Sequence, residues 1–289
     1  MGLLALALIL LQTQAPNASL RSQVEARIAQ APARAVGVYY RDLASGDSLT
    51  VGSAVRFHAA STMKIPVMIQ LFRDRDAGRL SLDDSITITN TFRSIVDSSP
   101  YLLDVTDDSD SSLYKRLGQR ASIRELIELM ETVSSNLATN LLIAKVDAKR
   151  ANATAHALGA DSILVLRGVE DGKAYRAGLN NTTTARDLGM LLAAIANEKA
   201  ASAASCREML AILGRQQFNE GIPAGLPPGT RVYHKTGWIG QVVYHDAALV
   251  EPPKGGRYVL VVLTGGIQKD EDSYALVRDV SRLVFDARR

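Results

Sequence analysis

The chain of 289 residues has one cysteine, Cys206, which excludes a disulfide framework within it and any cysteine-based zinc site. Its four histidines, His58, His156, His234 and His245, stand too far apart for a metal motif such as HExxH. Neither charge sign dominates: 33 basic against 30 acidic residues leave a net charge of +3, and the basic residues are scattered. That distribution gives no footprint for nucleic acid. No internal repeat is visible, and no apolar run reaches the roughly 20 residues that a bilayer demands. What is present is a globular composition, 47% apolar and 22% charged, long enough for a substantial buried core.

The longest apolar run, Leu3 to Leu11, is the right size for the core of a secretory signal peptide. Residues 1–18 are therefore expected to be a signal segment cut after Ala15 or Ala18, and the mature chain to be exported, periplasmic or secreted, and monomeric.

Helical spacing of Leu20, Val24 and Ile28 predicts a first helix over residues 19–30. Strands follow at Ala35–Leu43 and Ser48–Val51, then an apolar helix over Ser61–Phe72. Residues 76–222 read as mostly helical, with the clearest periodicity at Ile123–Val133 and Ala185–Asn197. Three more strands come late, at 231–236, 242–250 and 257–264, before a closing helix carrying Leu276, Val277, Val280, Leu283 and Val284 on one face. The continuously apolar Tyr258–Leu263 predicts a central strand covered on both sides. Strands at both ends and helices between them imply an α/β (α+β) fold. An antiparallel sheet of about five strands, built from both chain ends, is flanked by the terminal helices and accompanied by an all-helical lobe. The boundaries are 19–75 and 223–289 for the α/β lobe and 76–222 for the helical lobe, with a ligand cleft expected between them. Within the helical part, residues 97–112 are acidic, serine-rich and aperiodic, and read as a surface loop.

Ser61-Thr-Met-Lys64 places a hydroxyl and an amine at i and i+3, positions that share a helix face. Serine becomes a nucleophile only when a neighbour takes its proton, and a buried lysine of lowered pKa can do that. An SxxK alone is weak: a second one, Ser112-Leu-Tyr-Lys115, precedes no apolar helix, and Ser61 alone would also suit a helix N-cap. Two later elements matter: Ser134-Ser135-Asn136 after a helix, and Lys235-Thr236-Gly237 on a strand. Taken singly, Ser134 reads as a cap and Lys235 as an edge-strand gatekeeper.

In this order, SxxK, SxN and KTG resemble the serine β-lactamase and penicillin-binding protein superfamily, most closely the class A β-lactamases. The likeness covers nearly the whole mature chain and includes Arg124-Glu125-Leu126, Asn140-Leu-Leu142 and Thr182-Thr183-Thr184. It implies catalytic roles for Ser61 (acylated nucleophile), Lys64 (proton-transfer partner), Ser134 (proton donor to the departing nitrogen) and Lys235. It also implies substrate contacts from Asn136, Thr236, Gly237 and Trp238, with the backbone N–H groups of Ser61 and Trp238 as oxyanion hole. Glu170, 36 residues after Ser134, resembles the glutamate that activates the deacylating water. The implied partner is a small β-lactam or acyl-peptide, and no cofactor or metal is implied.

The chain departs from the class A pattern at Ser135, at Ala174 in a short loop with Gly172 and Gly178, at Trp238, and at Val243-Tyr244-His245, where an arginine is expected. These departures bear on deacylation and pocket shape. A D,D-peptidase or esterase of SxxK type, or a β-lactam sensor that acylates and stalls, therefore stands beside a β-lactamase. His245-Asp246 also raises a Ser–His–Asp alternative, against which His245 reads better as a hydrogen-bonded strand residue and Asp246 as the partner of a nearby Arg or Lys.

Overall fold

The computed structural model describes residues 16–288; the expected signal segment, up to residue 15, lies outside the described residues. Among the described residues no helix is long and apolar enough to cross a membrane. The opening helix α1 spans Pro16–Ala29, and strands β1 (Ala35–Asp42) and β2 (Ser48–Val51) follow it. Strands β3 (Arg231–Ile239), β4 (Val243–Glu251) and β5 (Tyr258–Gly265) come from the far end of the chain, and β3 continues three residues past the predicted end. The five form one sheet in the order β2-β1-β5-β4-β3, antiparallel throughout. β5 lies at the centre, with Tyr258 to Leu263 fully buried, as its unbroken apolar run predicts.

Alternation along the strands divides the core into two faces. Val38, Tyr40, Leu260 and Val262 pack with Leu20 and Val24 of α1 and with Leu276, Val277, Val280 and Val284. Those last four belong to the closing helix, whose range is Asp270–Asp286. Tyr39, Val259, Val261 and Leu263 face the other way, into the core of the helical part. That core is continuous with the sheet. Helix α2, Lys64–Asp76, runs through it with every residue from Lys64 to Phe72 buried. A helix buried on every side over these nine residues lies at the centre of the core. Around it lie α3 (Ile123–Thr132), α4 (Asn136–Val146), α5 (Ala148–Ala157), the short α6 (Gly172–Arg176), α7 (Ala185–Ala196) and α8 (Ala203–Leu213), before the closing helix α9. α7, although it falls in the 76–222 segment, packs directly on β1, β4 and β5.

Residues 97–112 are mostly exposed, as expected, yet not structureless: Pro100–Tyr101 pairs with Phe92–Arg93, and Leu103 is buried. The predicted Ser61–Phe72 helix starts as a 3₁₀ turn, Ala60–Met63, and becomes α-helical at Lys64.

Gly189 on α7 is required by close approach. A Cβ there would fall 2.2 Å from Cδ1 of Tyr39 on β1. Gly189→Ala is expected to destabilise the fold by about 1–3 kcal/mol through overpacking. Thermal unfolding would show a lower Tm, and an unchanged Tm would refute this account of the helix–sheet contact.

Candidate active site

The cleft lies where the 60–63 turn, the start of α4, the 167–172 segment and strand β3 converge, and its volume is about 790 Å³. Ser61, Ser134, Asn136, Glu170, Thr236 and Trp238 line it. Ser61 is half-buried on the 3₁₀ turn, one helical turn ahead of Lys64. Three residues facing the cleft hold positive φ without being glycine: Ala60 (46°), Ser134 (59°) and Glu170 (60°). Each such conformation costs about 1–3 kcal/mol and concentrates at functional sites.

Lys64 and Lys235 are both fully buried, and both point at Ser134. Lys64 Nζ donates to Ser134 Oγ at 3.0 Å, to the Ser134 carbonyl at 2.7 Å and to Asn136 Oδ1 at 3.2 Å. Lys235 Nζ donates to the same Ser134 Oγ at 3.1 Å and to the Thr236 carbonyl at 3.0 Å. Burial, and then the charge of Lys235, push the Lys64 amine well below its ordinary pKa. The lowered pKa makes the neutral amine, the form that can take a hydroxyl proton, easier to reach. Burial lowers Lys235 as well, and the carboxylates of Glu131 and Asp246 oppose that shift.

β3 is the sheet's edge strand, where an exposed gatekeeper lysine is ordinary. Lys235 is buried because the 60–63 turn covers the strand. Gly237 makes the contact possible: a Cβ there would lie 3.1 Å from Thr62 Cγ2 and 3.2 Å from both the Ala59 carbonyl and Ala60 Cβ. The strand thereby brings Trp238 beside the Ser61 turn. The Trp238 ring is 53% exposed, and its Nε1 donates to Asp270 Oδ1 at 2.9 Å. It forms a rim of the cleft instead of filling it.

Asn136 is fixed from several sides. Its Nδ2 donates to Glu170 Oε1 at 2.6 Å and to the Asp107 carbonyl at 3.3 Å. Burial raises the Glu170 carboxyl above the usual carboxylate range; the Asn136 bond opposes this, and the charges of Asp108 and Asp107 add to it. All hydrogen-bond acceptors of Lys64 lie on Ser134 and Asn136, so Glu170 is joined to the lysine by hydrogen bonds through Asn136 while its charge acts on the amine through space. The loop behind Glu170 is clamped at Val169, whose N–H donates to Asn140 Oδ1 at 2.7 Å and whose carbonyl accepts from Asn140 Nδ2 at 3.0 Å. Asp171 caps α6 and holds Ser94 Oγ and Ile95 N–H, each at 2.9 Å.

Two contributors were not visible in the motifs. Asp108, in the acidic segment, accepts from Asn136 N–H at 2.9 Å and Leu137 N–H at 2.8 Å, while Tyr114 donates to its Oδ2 at 3.0 Å. It thus satisfies the N-terminus of α4 together with Ser135, whose Oγ accepts from Ala138 N–H at 3.3 Å. The cap is therefore Ser135, not Ser134. The second is Glu131, fully buried on the last turn of α3.

The Ser–His–Asp alternative fails on geometry. His245 is buried between the carbonyls of Tyr244 and His58, 2.9 Å from each, and burial pushes its pKa down to about 4. Asp246 accepts from His234 Nδ1 at 2.9 Å and Ile222 N–H at 2.8 Å, so its partner is a histidine and not the expected Arg or Lys. His58 Nδ1 accepts from Ala60 N–H at 3.0 Å and helps to hold the turn before Ser61. Among the described residues no group of three or more His, Cys, Asp or Glu side chains could hold a metal.

A serine on a helix-leading turn and a second hydroxyl held between two buried lysines meet at this cleft, an arrangement suited to a serine hydrolase. The comparisons agree. The chain belongs to the Beta-lactamase enzyme family, which matches residues 19–287. It is 28% identical to Beta-lactamase 1 of Streptomyces cacaoi over 265 residues, covering 86% of this chain and 78% of that one. It is similar to a β-lactamase structure from Sphaerobacter thermophilus, at 28% identity and TM-score 0.78, over 93% of this chain and 97% of that one. It is also similar to a PBP-A variant in acyl-enzyme complex with penicillin G, at 31% identity and TM-score 0.79, over 95% and 98% of the two chains.

The double contact of Asp108 with the α4 N-terminus makes it the main support of Asn136. Asp108→Ala is expected to cost about 1–2 kcal/mol of stability as a lost helix cap. It should also slow acylation, whereas the nearby Asp110→Ala should do neither. Thermal unfolding and penicillin-labelling rates of the two variants check this, and equal behaviour would refute it.

Proposed function

We propose that the protein is a β-lactamase of class A type, opening the β-lactam ring through an acyl-enzyme on Ser61. The observation that carries this reading is Ser134 Oγ held at 3.0 Å and 3.1 Å by two buried lysines. Lys64, its pKa depressed, takes the proton of Ser61 as the hydroxyl oxygen attacks the lactam carbonyl. The oxyanion develops against the backbone N–H groups of Ser61 and Trp238. The lactam C–N bond then breaks, and Ser134 passes its proton to the nitrogen while recovering one from Lys64. Lys235 and Thr236 hold the substrate carboxylate, Gly237 and Trp238 form the adjoining edge, and Asn136 receives the side-chain amide. Glu170, its pKa raised, takes a proton from the water that cleaves the ester.

A second reading rests on where Glu170 points. Its carboxylate engages Asn136, and the nearby Ala174 has no polar side chain to hold a water. A site built this way acylates readily and clears slowly, as suits an SxxK D,D-peptidase or esterase.

Intact-protein mass spectrometry during reaction with a penicillin separates the two. Wild type should consume the drug and return to its unmodified mass, Ser61→Ala should never be modified, and Glu170→Gln should retain the adduct with deacylation slowed by about 10²–10⁴. Turnover should fall as pH drops through the raised Glu170 pKa, that is, above the usual carboxylate range. A lasting adduct on wild type would favour the peptidase or esterase reading; no adduct on any form would overturn both.

A further inference from the structure

Glu131 has no part in the mechanism above, yet it is the most unusual carboxylate among the described residues. It is fully buried, and neither carboxylate oxygen has a hydrogen-bond partner. An unpaired buried carboxylate is expensive, so what surrounds it matters. The helix turn that carries it leads straight into Ser134. The charges acting on it are those of Lys235 and Lys64. From α2, Asp74 is engaged by Arg79 and Arg150, and Asp76 by Ser202 and Ser205. From α8, Glu208 is turned to Arg75 and Arg124. From the turn after α8, Gln216 gives its amide to the Glu131 main-chain oxygen at 2.7 Å, not to the carboxylate. Of the other acids near Lys235, Asp246 is committed to His234 and Ile222.

We propose that Glu131 is a positioning residue, the buried counter-charge that keeps the Lys235 ammonium charged behind Ser134. Two buried amines on one hydroxyl repel each other if both are charged. The site works when Lys64 is neutral and Lys235 is not, and a carboxylate weighted toward Lys235 supports that division. Glu131 ranks first among the groups holding the Lys235 proton on, ahead of Asp246. Burial raises Glu131 itself to about 7, against the pull of both lysines. Its charge therefore appears as the pH rises toward the range in which Lys235 would otherwise lose its proton.

The rate test rests on the acyl-enzyme reading; a second measurement does not. Acylation of Ser61 by a penicillin is followed against pH in wild type, Glu131→Gln and Glu131→Asp. Below neutrality, where Glu131 is protonated, Glu131→Gln should match wild type. On the alkaline side it should lose rate about one pH unit earlier, because an opposite charge near Lys235 has been removed. Glu131→Asp should restore the wild-type limb. An unmoved alkaline limb, or an equal loss at every pH, would overturn the proposal. Carbon-13 NMR of the glutamate carboxyls should show one group titrating near neutrality in wild type and absent in Glu131→Gln. If Glu131→Gln removes no carboxyl titration near neutrality, the proposal fails even where acylation proceeds. If no penicillin adduct forms, the acyl-enzyme reading fails while the carboxyl titration still decides the role of Glu131.

Discussion

The site depends on one arrangement: a serine hydroxyl shared by two amines that have been taken out of water. Burying an ammonium costs several kcal/mol, on the order of magnitude found for buried ions, unless polar groups replace its lost hydration. Much of the local architecture supplies that replacement. Ser134 adopts a left-handed backbone that lets its carbonyl as well as its hydroxyl accept from Lys64. Asn136 adds a third acceptor, and the Thr236 carbonyl serves Lys235. The strain at Ser134 is held in place because the chain is fixed on both sides, by the packed end of α3 and by the doubly capped start of α4.

The two lysines reach that hydroxyl from different kinds of element, Lys64 from α2 and Lys235 from β3. Lys64 arrives on a helix buried along most of its length, so its position is set by packing and not by its own bonds. Lys235 arrives on an edge strand, where a sheet offers no cover of its own. Cover is provided by the 60–63 turn, and the absent side chain of Gly237 sets how closely the two approach. The same contact brings Trp238 beside the 60–63 turn at the cleft, so burial of the charge and the shape of that edge are one packing event, and a bulkier residue at 237 would disturb both.

The sheet and the helices with strong periodicity were legible in the sequence, because alternation and 3.6-residue spacing report burial directly. The central place of β5 follows from Tyr258–Leu263, and the structure brings Ser61, Ser134, Asn136, Glu170, Thr236 and Trp238 to one cleft. What escaped was held by features without period. Asp108 lies in a stretch of serines and acids where nothing distinguishes the one carboxylate that reaches a helix end. Glu131 did leave a trace: Ile123, Ile127 and Glu131 are spaced at i, i+4 and i+8, so the acid stands on the apolar stripe of α3. A carboxylate on a buried face needs a cation to answer it, and the buried lysines provide two. The partner of Asp246 was misjudged because the pairing follows strand register, which places Asp246 opposite Thr236 and leaves His234 two residues away on the neighbouring strand.

The acidic segment changes meaning once folded. The resemblance leads one to expect an aspartate between Ser134 and Asn136, and the chain has Ser135 there instead. A serine caps a helix with a neutral oxygen, which answers one N–H and contributes no charge. Asp108 answers two more N–H groups at the same helix end and brings the negative charge that the helix dipole favours. Asp107 adds a carbonyl to Asn136. Asp108 and Asp107 also place negative charge near Glu170, which favours its protonated form and so keeps its pKa high. A segment outside the motifs therefore supports the Asn136 amide in the cleft and tunes the acid beside it, so that shortening residues 97–112 would disturb Asn136 and Glu170 together.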